Sequence, residues 1–124
     1  MKVIIAHSVK KKEFKNGKIP ERDLQTILKS FGKGILVALK GSSLPAGSRL
    51  AKVYATTAKG ARRIVFLIDV ASGDGFFLFY RDKKDKIGQN MSIQNPLFRD
   101  VLHKYLRLLM SDIENGRYQQ HKLD

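Results

Sequence analysis

Arginine, lysine and tyrosine side chains are the groups of this 124-residue sequence whose types and spacing suit chemistry at a phosphate. They occur as two adjacent pairs followed by three lysines: Arg62-Arg63, Tyr80-Arg81, and Lys83, Lys84 and Lys86. A guanidinium can hold two phosphate oxygens at once, and lysine supplies a compact positive charge. A tyrosine can orient a phosphate, donate a proton or stack on a base. These residue types favour action at a nucleic-acid backbone, although basic side chains are also common as plain surface solubilisers.

Cysteine and histidine usage argues against metal and thiol chemistry. The chain has no cysteine, which excludes disulfides, a thiolate nucleophile and cysteine-ligated zinc, and agrees with a reducing cytoplasm. His7, His103 and His121 are isolated and have no carboxylate cluster beside them, so no metal site and no cofactor are predicted. We expect His7 in a first strand and His103 in a last helix, each as a structural residue.

Charge is the strongest compositional feature. Twenty-four Lys+Arg residues against eleven Asp+Glu residues give a net charge of +13 and a pI near 10.2, beyond the magnitude of about 2–8 typical of a small soluble domain. Segment 24–68 has no carboxylate but eight basic residues: Lys29, Lys33, Lys40, Arg49, Lys52, Lys59, Arg62 and Arg63. One face is therefore expected to be strongly positive. A phosphate backbone is the commonest partner of such a face, ahead of an anionic membrane, an acidic protein or solvent alone.

Length and hydropathy indicate one domain. The chain is too short for two cores, and its mean hydropathy of -0.27 with 43% apolar residues is ordinary for a globular protein. No apolar run approaches the roughly 20 residues that cross a bilayer, and the apolar stretch after Met1 is too short for a signal peptide. We expect one cytoplasmic domain over residues 1–116, a polar and loose C-terminal tail over 117–124, and no membrane contact.

Apolar periodicity and turn residues predict the elements that would position the basic groups. Residues 2–8 have strand character, and an apolar helical stripe follows Pro20: Leu24, Ile27, Leu28 and Phe31. Segment 35–39 remains undecided between helix and strand. Strands over 51–57, 62–70 and 76–80, with Lys59-Gly60 and 72–75 as turns, predict an antiparallel meander. Asn95 and Pro96 then cap and open a long helix that ends before Gly116. The expected fold class is α+β, a small, curved, mainly antiparallel sheet packed with N-terminal helices and a long C-terminal helix.

Three segments of the meander carry a family resemblance. They read Arg49-Leu50-Ala51-Lys52, then Lys-Gly-Ala-Arg-Arg-Ile-Val-Phe over 59–66, then Gly-Phe-Phe-Leu-Phe-Tyr-Arg-Asp-Lys-Lys-Asp over 75–85. This pattern resembles the RelE/ParE superfamily of toxins. It consists of a basic segment, a glycine-marked turn, a strand opening with arginine, and a hydrophobic strand ending in an aromatic and basic cluster. The RelE/HigB type of type II toxin–antitoxin systems is the most similar, and the order of elements agrees over residues 2–110.

This resemblance implies a function and a site. A RelE-type toxin cuts messenger RNA in the ribosomal A site and is held inactive by an antitoxin, here expected to be an acidic protein. By the likeness, Arg63 would stabilise the phosphate, and Tyr80 and Arg81 would occupy a frequent catalytic position. Arg49, Lys52, Arg62, Lys83, Lys84 and Lys86 are predicted RNA contacts. Arg62 is expected on the face opposite Arg63, and the general base stays unassigned.

Two other functions fit the same sequence. ParE-like relatives poison DNA gyrase and cut no RNA. Arg63, together with Tyr80 and Arg81, favours the nuclease only modestly. A non-catalytic module that binds RNA or the ribosome through its positive face agrees with the composition equally well. The predicted activity, a metal-independent endoribonuclease that inhibits translation, is therefore one of three alternatives.

Overall fold

The computed structural model describes residues 1–123 and has an α+β fold, the class predicted from the sequence. The elements, in chain order, are β1 (Lys2–Ala6), α1 (His7–Glu13), α2 (Glu21–Gly32), β2 (Val37–Leu39), β3 (Ser48–Thr57), β4 (Gly60–Asp69), β5 (Gly75–Asp82), α3 (Lys86–Gln89), α4 (Pro96–Glu114) and β6 (Tyr118–Lys122). A 3₁₀ turn over Lys15–Gly17 connects α1 to α2. The undecided segment 35–39 contains the short strand β2.

All of these strands belong to one mixed sheet in the order β2-β3-β4-β5-β1-β6. Its centre is the predicted antiparallel meander, in which β4 pairs with β3 on one side and with β5 on the other. Gly60, the first residue of β4, and Gly73, in the turn before β5, have φ angles of 115° and 78° that favour glycine. β1 joins β5 in parallel, and β6 joins β1 in antiparallel orientation.

The C-terminal segment that was predicted to be loose is a strand. β6 pairs with the whole of β1, from Lys122 opposite Lys2 to Tyr118 opposite Ala6. Its side chains are polar because an edge strand is held by backbone hydrogen bonds to its neighbour and needs no apolar face of its own. The prediction of a loose tail is therefore wrong for residues 118–122, and Asp124 lies outside the described residues.

The first strand is shorter than predicted, because α1 begins at His7. The carboxylate of Asp112, on α4, accepts hydrogen bonds from the Ser8 amide (2.6 Å) and the Ser8 hydroxyl (2.9 Å). A carboxylate at this position satisfies a free amide at the helix start and interacts favourably with its dipole. The expectation that His7 lies in the first strand is therefore wrong, and a contact across the fold explains the difference.

Helices cover both faces of the sheet. On one face, here called the α2 face, the rings of Phe31 and Phe66 lie 4.7 Å apart. On the other, the α4 face, the Phe79 ring lies 5.5 Å from Phe98 and 5.0 Å from Tyr105. A β-bulge where Val65 and Phe66 pair with Phe79 and Phe77 reverses the alternation of β5. Phe77 consequently packs against Phe66 and Phe14, away from the Phe79 contacts.

The long helix α4 begins as predicted. The Asn95 side chain accepts a hydrogen bond from the Leu97 amide at 3.2 Å, and Pro96 is the first helical residue. Its buried side chains include Phe98, Leu102 and Leu109, which belong to the core. This packing holds α4 against the α4 face of the sheet.

Candidate nucleic-acid interface

Three side chains on β3 and β4 form a group that we call the cationic cluster: Lys52, Tyr54 and Arg63. Tyr54 and Arg63 are direct cross-strand partners, and Lys52 lies two residues earlier on β3, so all three side chains leave the sheet on one face. Lys52 Nζ lies 5.1 Å and Arg63 Cζ 5.2 Å from the centroid of the Tyr54 ring, within the range of cation–π attraction. Tyr54 is 53% exposed. Two positive charges and an open aromatic ring therefore lie together at the surface.

Backbone carbonyls orient Arg63. Its Nη1 donates to the carbonyl oxygen of Gly88 and, at 3.4 Å, to that of Gln89. Gly88 is buried, and a Cβ at this position would overlap the carbonyl oxygen of Asp82. The close approach of α3 to β5 thus needs a glycine. Among residues 1–123, no carboxylate forms an ion pair with Arg63, so its positive charge is available to an external anion.

Arg81 lies directly opposite Arg63 on β5 but is paired with carboxylates. Its Nε and Nη2 donate to the two Glu13 oxygens at 2.8 and 2.9 Å, and Nη1 lies 3.4 Å from Asp85 Oδ1. The Glu13 side chain is fully buried and also accepts from the Tyr105 hydroxyl at 2.9 Å. Burial lowers the pKa of the Arg81 guanidinium, but the hydrogen bonds and charge of Glu13 outweigh burial and raise that pKa. Arg81 is therefore a permanently charged, neutralised group inside the fold.

The Arg81 contact to Tyr105 identifies the face of the cluster. Tyr105 belongs to α4, and the directly paired Arg63 and Arg81 project to the same side of the sheet. The cationic cluster consequently lies on the α4 face. Like charges directly opposite each other destabilise a strand pair, and the Glu13 carboxylate offsets that repulsion. Burial, followed by the charge of Glu13, raises the pKa of Tyr105 above its ordinary value, so this phenol stays protonated.

Tyr80 and Arg62 lie on the α2 face, away from the cationic cluster. The Tyr80 hydroxyl donates to Asp23 on α2 at 2.8 Å, and burial together with this Asp23 contact raises the pKa of Tyr80 to about 12. Arg62 forms an ion pair with Asp82 at 3.2 Å, and its Cζ lies 5.9 Å from the Tyr80 ring centroid. Arg62 and Arg63 face opposite sides, as predicted. The three side chains predicted to be catalytic, Arg63, Tyr80 and Arg81, therefore do not converge on one point.

The other predicted contacts lie at the surface around these strands. Arg49 is exposed but projects from β3 to the side opposite Lys52, because the two are three residues apart. Lys83 and Lys84 are exposed in the segment that joins β5 to α3, and Lys86 is exposed as the first residue of α3. Because α3 supplies the carbonyls that hold Arg63, these lysines lie beyond the same end of the sheet as Arg63. Arg49 is the one predicted contact separated from this end.

Sequence reasoning missed two residues of this region, Tyr54 and Glu13. Tyr54 lies two residues after Lys52 on a predicted strand, so the strand period of two could have placed both side chains on one face. Glu13 had no such signal, because it is 68 residues from Arg81 and 92 from Tyr105 in the chain. Only the position of α1 beside the free end of β5 brings this carboxylate to its partners.

The histidines lie outside the cluster. His103 is on α4, as predicted, and its Nε2 is 3.1 Å from the Ser42 hydroxyl. His7 begins α1, and His121 is on β6. Within residues 1–123, no group of three or more His, Cys, Asp and Glu side chains is arranged to hold a metal ion. No helix of that part of the chain is both long and apolar enough to span a membrane.

The fold and the site define a small basic α+β domain with a cationic, aromatic surface on one sheet face. No family model matches the chain, and neither does any curated protein or solved structure. The resemblance to RelE-type toxins thus rests on the residues of the meander and stays a prediction.

Proposed function

We propose that this protein is the toxin of a type II toxin–antitoxin system, a metal-independent endoribonuclease that cuts mRNA on the ribosome in the cytoplasm. One observation carries the proposal. Arg63 is oriented by two carbonyls, has no carboxylate partner among residues 1–123, and lies beside Lys52 and an exposed tyrosine. A guanidinium oriented in this way is suited to a phosphate that gains negative charge during cleavage.

The cluster supports one part of the chemistry directly. Metal-free RNA cleavage needs activation of the 2′-hydroxyl, stabilisation of the crowded phosphate and protonation of the leaving oxygen. Arg63 and Lys52 provide the second requirement. The ribosome positions the message, so orientation supplies part of the rate enhancement without a strong base on the toxin.

The remaining predicted residues take supporting roles in this proposal. Arg81 acts as a positioning residue, because its donors are occupied by Glu13 and its backbone pairs with that of Arg63. Lys83, Lys84 and Lys86 contact the RNA or ribosomal backbone at the end of the sheet. On the opposite face, Tyr80 stabilises the packing of α2 through Asp23, and Arg62 pairs with Asp82 and lies over the Tyr80 ring.

Primer extension on a reporter mRNA in a cell-free translation reaction tests the proposal. Wild type should produce in-frame cuts that require ribosomes, and Arg63→Ala should reduce their rate about 100-fold or more, the usual cost of losing one transition-state donor. Arg22→Ala is the matched control, since Arg22 is exposed on α2 and its loss changes the net charge equally. An intact message with wild type, or equal losses in both variants, would contradict the proposal.

A second candidate function is binding to RNA without cleavage. The observation that favours it is the composition of the cluster, in which neither a histidine nor a carboxylate is available to accept a proton. This function predicts an intact message and an affinity that decreases steeply with salt, with a log–log slope set by the number of phosphate contacts. The same primer-extension reaction therefore separates the two candidates.

The proposed partner is an acidic antitoxin. A chain of net charge +13 attracts an acidic, partly disordered protein that folds as it binds. Suitable contact surfaces are the edge strands β2 and β6 and the exposed apolar residues Leu97 and Met110 of α4. Co-expression with the product of the neighbouring gene should yield a stable complex without cleavage activity. Active toxin recovered free of that product would contradict this part of the proposal.

A further inference from the structure

Tyr54 is the only exposed tyrosine among residues 1–123. Tyr80 and Tyr105 are partly or largely buried, and the hydroxyl of each donates to a carboxylate, Asp23 and Glu13 respectively. Tyr54 is 53% exposed, and no hydrogen bond to its hydroxyl is present among residues 1–123. A large ring left at the surface without a polar partner contributes little to the core. Its exposed surface is therefore available to a ligand.

The part of β3 that carries Tyr54 is open at its side. β2 pairs only with Leu50, Ala51 and Lys52 of β3, so the strand continues past the end of its neighbour. Single-stranded nucleic acid is bound where a positively charged groove runs along an aromatic side chain on which a base can stack. Lys52 and Arg63 supply the charge beside Tyr54, at 5.1 and 5.2 Å from its ring centroid.

We propose that Tyr54 is a nucleobase-stacking site, which takes the base of an RNA nucleotide whose phosphate, or whose neighbour's phosphate, is bound by Arg63 and Lys52. The inference rests on the proposed function, since it names how that site holds its RNA. Base and phosphate are joined through a single sugar, so adjacent aromatic and cationic groups can engage one nucleotide. Stacking accepts every base, and purines present the larger surface to the ring.

Fluorescence anisotropy with two labelled six-residue oligomers tests the inference without ribosomes. One oligomer is oligoadenylate RNA, and the other has the same ribose-phosphate backbone without bases. Wild type should bind the RNA more tightly than the abasic oligomer by about 5- to 150-fold, the range that stacking of one base provides. Tyr54→Ala should lose that difference but keep the affinity for the abasic oligomer and its salt dependence.

Three further variants make the outcome specific. Tyr54→Phe should retain the difference, because the ring is kept. Tyr54→Thr should lose it while preserving strand propensity, which separates stacking from damage to β3. Arg63→Ala should weaken binding of both oligomers and reduce the salt slope. The inference is overturned if Tyr54→Ala binds both oligomers as wild type does, or weakens both equally.

The outcome is independent of the cleavage assay. A base-dependent affinity that Tyr54→Ala removes, in a protein that leaves mRNA intact on ribosomes, would support the stacking site and contradict the nuclease. Ribosome-dependent cleavage together with an unchanged base preference in Tyr54→Ala would support the nuclease and overturn the stacking site.

Discussion

Arg63 and Arg81 are identical residues at paired positions, yet their surroundings give them different capacities. Glu13 neutralises Arg81 from within the core, whereas Arg63 is oriented by the carbonyls of Gly88 and Gln89. A neutralised guanidinium whose donors are occupied cannot also bind a phosphate without breaking a buried ion pair, a change that costs several kcal/mol. In the proposed reaction, the electrostatic role is consequently assigned to Arg63.

Tyr80→Phe tests whether Tyr80, on the α2 face, has a structural role and no role in cleavage. Because the Tyr80 hydroxyl donates to Asp23 on α2, its removal should leave ribosome-dependent cleavage within about twofold of wild type. The variant should lose about 1 kcal/mol of unfolding free energy, the usual net value of one hydrogen bond. Primer extension and urea denaturation measure the two quantities. A loss of cleavage of 100-fold with unchanged stability would place Tyr80 in the catalytic site.

At the scale of elements, the short helix α3 presents the carbonyls of Gly88 and Gln89 to Arg63. Gly88→Ala tests this because an added Cβ would overlap the carbonyl oxygen of Asp82 and displace α3. We expect cleavage to decrease at least tenfold through the misplaced guanidinium. Gly32→Ala is the control. Gly32 ends α2, and a Cβ there would lie 3.9 Å from the Leu123 side chain, an ordinary van der Waals distance. Equal activity of Gly88→Ala and Gly32→Ala would show that α3 does not position Arg63.

The junction of α1 with α4 depends on Asp112. Burial raises the pKa of its carboxyl, but the hydrogen bonds from Ser8 and the Arg117 guanidinium outweigh burial and lower that pKa below its ordinary value. The folded state then binds this proton less readily than the unfolded state. The resulting stability is present above about pH 4 and is lost as the pH falls through the lowered pKa.

Asp112→Asn should therefore reduce the free energy of unfolding at pH 7 by about 2 kcal/mol, the usual value of hydrogen bonds to a charged group, and flatten its decline between pH 5 and pH 3. Asp100→Asn is the matched control on the same helix, because the Asp100 side chain is 77% exposed. Urea titrations across this pH range provide the measurement. Parallel pH profiles for wild type and Asp112→Asn would contradict the assignment.

The elements that the sequence predicts well are those with a local cause. The apolar stripe of α2, the cap of α4 at Asn95 and the glycine turns of the meander each follow from residues a few positions apart. β6 and the start of α1 were not predicted, because β1 and Asp112 determine them from across the fold. The residues of the site likewise include some that local sequence predicts and others that it does not. The opposite faces of Arg62 and Arg63 follow from strand alternation, but the pairing of Arg81 with Glu13 needs the tertiary structure.

At the scale of the whole molecule, charge alone does not identify the working face. Lys29 and Lys33 are exposed on or just after α2, as Lys83, Lys84 and Lys86 are beyond β5. A net charge of +13 attracts polyanions from every direction and speeds their encounter. Two features distinguish the α4 face: the carbonyls that orient Arg63 and the exposed ring of Tyr54. A larger number of cations does not distinguish it.

We propose that the α4 face, and not the α2 face, acts on RNA. The direct measurement compares two double variants of equal charge change, Lys52→Ala/Arg63→Ala and Arg49→Ala/Arg62→Ala, by primer extension of mRNA on purified ribosomes. We expect the first to abolish in-frame cuts and the second, once corrected for any loss of folded protein, to retain them. Retained cleavage in the first variant, or equal loss in both, would contradict the claim.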